Sequence, residues 1–183
     1  MSTENKIYES YGRFALQFER ACSALEVLIK KILEIEGLKS EEIKDILLAE
    51  NTAEPLKSLA HSLICEHLKP EGEEEKIIGS IFGQFQALIS ERNDLIHSSL
   101  FTWSIQHGEE HTSYATGQKL HKNKKGVSNK KKAYTSNDID SIYEKSKSIF
   151  FNICRLRNCI EEKQLLKTFF VKKGKVYELR DNA

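Results

Sequence analysis

Apolar or small residues recur at Ile7, Tyr11, Phe14, Phe18, Ala21, Leu25, Leu28, Ile32 and Ile35, in steps of three and four. That spacing draws one stripe along a helix, which Gly37 is placed to end. A short helix follows, opened by Ser40, with glutamates in its first turn and an apolar set of Ile43, Ile46 and Leu47. A third begins near Thr52, tolerates Pro55 in its first turn, and runs through Leu59, Leu63 and Cys65 towards Pro70. The fourth starts in the acidic stretch Glu71–Glu75 and carries Ile78, Ile81, Phe85, Leu88, then Arg92, then Leu95 and Ile96. A charged residue thus stands where the stripe calls for a core residue.

After Leu100 the period changes. FTWSI and HTSYAT flank the polar turn QHGEE, which predicts a β-hairpin between Leu100 and Thr116. A lysine-rich loop follows, with Gly126 and Ser128 breaking regular structure, and Ser136-Asn137-Asp138 then caps a last long helix. Its stripe runs Ile139, Ile142, Ser146, Ile149, Ile153, Leu156 and Ile160. The tail TFFVKKGKVYEL reads as a short hairpin around Lys173-Gly174, or as an extended arm covering an edge. The fold class is therefore all-α in the main, a helical bundle with a small β-hairpin insertion after the fourth helix. One domain spans 1–183, with its core over about 7–164, the hairpin and basic loop at 100–132, and an extension at 167–183.

Composition narrows the class without deciding the function. With 183 residues, 39% hydrophobic and 30% charged, the chain is long enough to bury a core and too apolar to be disordered. Met1–Lys6 is polar, and no apolar run approaches the roughly 18 residues that cross a membrane, so the expectation is a cytoplasmic protein with no membrane partner. Cys22, Cys65, Cys154 and Cys159 are scattered without a Cys-x-x-Cys pair and read as free core thiols. His61 and Cys65, and His107 and His111, have ligand-like spacing but lack further partners, so neither metal nor other cofactor is expected.

The net charge is only +1, yet its distribution is uneven. From Lys119 to Lys132 there are seven lysines and no acid: Lys119, Lys122, Lys124, Lys125, Lys130, Lys131 and Lys132. Such a run is either a solvated loop or a phosphate-backbone contact that binds by counterion release. Trp103, on the hairpin before it, either packs on the domain or stacks a base.

The candidate chemistry lies in Glu91-Arg92-Asn93-Asp94-Leu95-Ile96-His97. At 100° per residue, Asn93 and His97 stand one helical turn apart on one face, and Arg92, about 140° from His97, has a long flexible arm. A guanidinium fork matches phosphate oxygens, an imidazole moves protons near neutral pH, and an amide can orient either group. The same residues also admit a structural role, with Arg92 paired to a buried carboxylate and His97 completing the helix end.

Arg92-Asn93 followed by four more residues to His97, near the end of a long helix in a helical domain, resembles the signature of the HEPN family (higher eukaryotes and prokaryotes nucleotide-binding). That signature is an arginine, four to six residues, then a histidine, often with a polar residue directly after the arginine. The resemblance implies an up-and-down bundle over roughly Ile7–Gln164. It also implies metal-independent RNA cleavage by a homodimer whose two motifs meet across a symmetric interface. On that reading Arg92 binds and stabilises phosphate, His97 transfers protons, Asn93 positions, and the product carries a 2′,3′-cyclic phosphate. The setting would be phage defence, stress response or a toxin with a separately encoded antitoxin, such as a nucleotidyltransferase-like protein. A tyrosine that follows the histidine in one toxin branch is absent, since Ser98, Ser99, Leu100 and Phe101 stand there. Two alternatives belong to other classes: a non-catalytic module binding a nucleotide, RNA or protein, and a coiled-coil-like interaction protein.

Overall fold

The computed structural model describes residues 3–96, 99–107, 110–123 and 126–180, and the side-chain surroundings of 5–96 and 132–180. It is mainly helical, with α1 (Thr3–Ile35), α2 (Glu41–Leu48), α3 (Ala53–Leu68), α4 (Glu73–Ile96) and α5 (Ser136–Glu162). Between α4 and α5 lie β1 (Ser99–His107), β2 (Glu110–Asn123) and β3 (Gly126–Tyr134), and a small hairpin of β4 (Phe170–Lys173) and β5 (Val176–Leu179) ends the chain. No helix of the described residues is long and apolar enough to cross a membrane.

The residues group into two compact units, Met1–Phe18 with Leu88–Ser146, and Glu19–Ala87 with Lys147–Ala183. In the first unit, Ile7, Phe14 and Phe18 of α1, Leu88 and Leu95 of α4, Tyr134, and Ile139 and Ile142 of α5 are buried. The sheet of this unit is antiparallel in the order β1-β2-β3. Trp103 pairs with Tyr114 in its first hairpin, which starts and turns close to the expected positions, while β2 runs on to Asn123, past the expected end at Thr116. The basic segment differs from expectation. Its described residues are strand rather than loop: Lys119 stands opposite Lys130, Lys122 opposite Val127, and Gly126 begins β3 instead of interrupting structure. Backbone pairing along β2 satisfies the polar groups that a loop would leave to water, so residues of poor strand propensity are carried in the ladder.

In the second unit the stripes of α1, α3, α4 and α5 supply the core, including Leu25, Leu28, Ile32, Ile64, Ile81, Phe85, Ile153 and Leu156. α1 stops where Gly37 adopts φ 101°. Leu38 N–H donates to Leu33 O at 2.8 Å and Gly37 N–H to Glu34 O at 3.1 Å, the paired bonds of a Schellman motif. Ser40 caps α2 by accepting from Ile43 N–H. In α3 the buried row is Leu56, Ala60 and Ile64. The expected Leu59, Leu63 and Cys65 flank that row only half-buried. The closing hairpin turns at Gly174, φ 62°, as expected.

α2 is oriented opposite to its apolar pattern. Ile43, Ile46 and Leu47 are 47%, 73% and 52% exposed, whereas Lys44 and Leu48 are buried. Lys44 pairs with Glu41 one turn earlier on α2, and Asp45 pairs with Lys30 of α1.

Candidate functional site

α5 begins at a reciprocal cap formed by Thr135 and Asp138, one residue earlier than Ser136. Thr135 O accepts the first helical bond from Ile139 N–H at 3.2 Å. Thr135 Oγ1 accepts from Asp138 N–H, and Asp138 Oδ2 accepts from Thr135 N–H at 2.8 Å and from its hydroxyl at 2.7 Å. These bonds hold the Asp138 carboxyl below its ordinary range, backbone bonding first and the hydroxyl second. Because β3 ends at Tyr134, the same cap fixes where that buried ring enters the first unit.

Arg92 lies near the C-terminal end of α4 and is half-buried. Its guanidinium sits over the Phe18 ring, 5.5 Å from the centroid, and donates from NH1 to Asn93 Oδ1 at 3.3 Å. An aromatic face beneath a guanidinium restrains the plane of the fork. Beside it, Glu91 accepts from Lys145 of α5 at 2.6 Å. Lys132 Nζ stands 4.8 Å from the centre of the Tyr134 ring. Burial pushes the Tyr134 phenol up, Lys132 opposes the shift, and the carboxylates of Asp94 and Glu91 add to it. The end of α4 therefore gathers Arg92, Asn93, Glu91, Asp94 and Tyr134 in one unit.

Of the expected trio, Arg92 and Asn93 are brought together, while His97 lies outside the described residues. Lys124 and Lys125 also lie outside them. The backbone register puts Lys119, Lys130 and Lys132 on one alternating set of the sheet, together with Tyr134. Lys122 and Lys131 fall on the other set, which Trp103 shares. The basic positions are thus divided between two sets instead of concentrated on one.

Sequence reasoning missed Phe18 and Tyr134 as neighbours of the motif. Phe18 was legible only as a core residue, since a ring under a guanidinium and a ring under a leucine occupy the same stripe position. Tyr134 carried one available signal, its place directly before the Thr135-x-x-Asp138 capping pattern. Glu91 and Lys145 lie 54 positions apart, and no local pattern links them.

His61 stacks on Phe82 with ring centroids 4.7 Å apart, and burial pushes the Cys65 thiol up, Glu75 adding to the shift. Among the described residues no group of three or more His, Cys, Asp or Glu side chains is placed to hold a metal ion. All four cysteines are free thiols, and burial raises Cys159 to about 11.

No family model matches this chain, and no curated protein or solved structure matches it either.

Proposed function

We propose that the protein is a metal-independent endoribonuclease of the HEPN type, acting as a homodimer. The observation that carries the reading is the Arg92-Asn93 pair, half-buried near the end of the long helix α4, with His97 four residues beyond Asn93. The mainly helical architecture is compatible with it.

On this reading the Arg92 fork binds the scissile phosphate and stabilises the negative charge that grows on its oxygens. His97 accepts the proton of the ribose 2′-hydroxyl as that oxygen attacks the adjacent phosphorus. The bond from phosphorus to the 5′ oxygen breaks, a proton is delivered to the leaving oxygen, and the products are a 2′,3′-cyclic phosphate and a free 5′-hydroxyl. Asn93 orients the guanidinium, to which it is already hydrogen-bonded. Two copies related by a two-fold axis would bring two Arg92 side chains to one phosphate, and the shared anion would offset the cost of setting like charges together. The lysines of β2 and β3 supply nonspecific affinity for the RNA backbone. A cognate antitoxin is the partner expected if the nuclease is a toxin.

A second reading, a non-catalytic binding module, is favoured by the contacts Arg92 makes within its own unit, with Asn93 and Phe18, which suit a structural arginine as well. Purified protein in excess chelator, incubated with total RNA and with matched DNA, separates the two. Cleavage of RNA alone, lost in both Arg92→Ala and His97→Ala while helical content is unchanged, is the expected result. RNA left intact by wild type, or cut equally by all three proteins, would give the binding module preference.

A further inference from the structure

An open groove of about 300 Å³ lies in the second unit, lined from α1 by Val27, Lys30, Lys31 and Glu34, from α2 by Glu41 and Lys44, and from α5 by Arg157 and Glu161. It involves none of the motif residues. Four cations from three helices converge on it, and three carboxylates share its walls.

The cations are not equally provided for. Lys31 is held by Glu161 at 3.0 Å and Glu34 at 3.4 Å, and Lys30 by Asp45. Arg157 donates from Nε at 3.3 Å and from NH2 at 2.9 Å to the amide oxygen of its neighbour Asn158, and has no carboxylate partner among the described residues. Lys44 is the more unusual group. Its side chain is 1% exposed, and its one partner among the described residues is Glu41, whose own carboxylate is 63% exposed. A lysine is rarely sealed away unless anions compensate its charge, and a single exposed carboxylate supplies only part of that.

We propose that this groove binds a small phosphorylated polyol. The phosphate would sit against Arg157 and Lys31, with the buried Lys44 adding its charge from behind the groove wall, since a guanidinium and ammonium groups offer the fork and point charges that an oxyanion takes. Glu34, Glu41 and Glu161 would accept from the hydroxyls of the body, a role that a purely anionic ligand would leave unused. At about 300 Å³ the groove has room for a small ligand of the sugar-phosphate class. Val27 is the one apolar side chain among the described lining residues, so no aromatic face or apolar slot is present for a nucleobase.

The test is calorimetric titration of the full chain with ribose 5-phosphate, inorganic phosphate and ribose. Saturable binding of ribose 5-phosphate, tighter than that of phosphate and absent for ribose, is expected. Arg157→Gln and Lys31→Gln should each weaken it about tenfold or more, the loss of one charge-assisted contact. Lys76→Gln, an exposed lysine of α4 outside the groove, should leave it unchanged. Absence of saturable heat up to about 10 mM overturns the site. Equal binding by wild type and both groove variants does the same. Phosphate binding as tightly as ribose 5-phosphate overturns the assignment of a polyol. Two groove variants guard against misfolding of either one, which helical circular dichroism detects.

Discussion

Replacing Thr135 by alanine tests whether α5 depends on its cap. Three interactions are at stake: Asp138 N–H to Thr135 Oγ1 at 3.2 Å, and the Thr135 amide and hydroxyl to Asp138 Oδ2 at 2.8 and 2.7 Å. Thr135→Ala removes the hydroxyl bonds and leaves the amide bond. Loss of a Thr N-cap costs about 1–2 kcal/mol, and the loss here belongs towards the upper part because the hydroxyl both accepts and donates. Asp138→Asn keeps an acceptor oxygen for the Thr135 amide but removes the charge at the helix N-terminus, for about 0.5–1 kcal/mol. Asp138 is exposed, so solvent screening discounts its charge further.

The assay is urea denaturation followed by helical circular dichroism, with both single variants and the double, at neutral and acid pH. The two effects should be less than additive in the double variant, since each removes part of one reciprocal motif. The pH dependence has a definite sign. The Asp138 carboxyl titrates below its unfolded value of about 3.9, so its stabilisation is complete above pH ~4 and is lost as pH falls through the lower folded value. The gap between wild type and Asp138→Asn should therefore narrow on acidification. Additive effects, or a gap that stays constant between pH 7 and pH 3, would refute the reasoning.

Three further outcomes are expected. Arg92→Lys keeps a cation over Phe18 but loses the fork, so under the ribonuclease reading cleavage falls about 100-fold, with stability changed by less than ~1 kcal/mol; equal cleavage would sink the assigned role of the guanidinium. Ser146 is fully buried in the α5 stripe, and its hydroxyl has no hydrogen-bond partner among the described residues. Ser146→Ala should stabilise by about 0.5–1 kcal/mol in urea denaturation, by removing an unmet polar group and adding helix propensity, and a loss of stability would reveal a partner for the hydroxyl. Ile46→Ser, at the most exposed apolar position of α2, should change stability by no more than about 0.5 kcal/mol, whereas a cost above ~1 kcal/mol would mean that the outward face is covered.

Periodicity along the chain determined the elements. The steps of three and four in α1, α4 and α5 produced stripes that are buried almost position for position, because a long amphipathic helix has one way to hide its apolar side. The Gly37 stop and the Gly174 turn were equally legible, since both need a positive φ that glycine adopts at little cost. Arg92-Asn93 stood out for the opposite reason: a charge interrupted a stripe.

Tertiary structure decided what local patterns left equivalent. α2 carries apolar residues at 43, 46 and 47, yet in the folded chain Lys44 and Leu48 are the ones turned inward. The lysine segment has weak strand propensity, and only pairing with β2 made it a strand. Phe18 came beneath Arg92 through packing of helices 74 positions apart in the chain, and the groove of Lys44 and Arg157 is assembled from three separated helices. Local periodicity records which side of an element is apolar; the neighbour that side meets is set by distant parts of the chain, and both candidate sites are made of such neighbours.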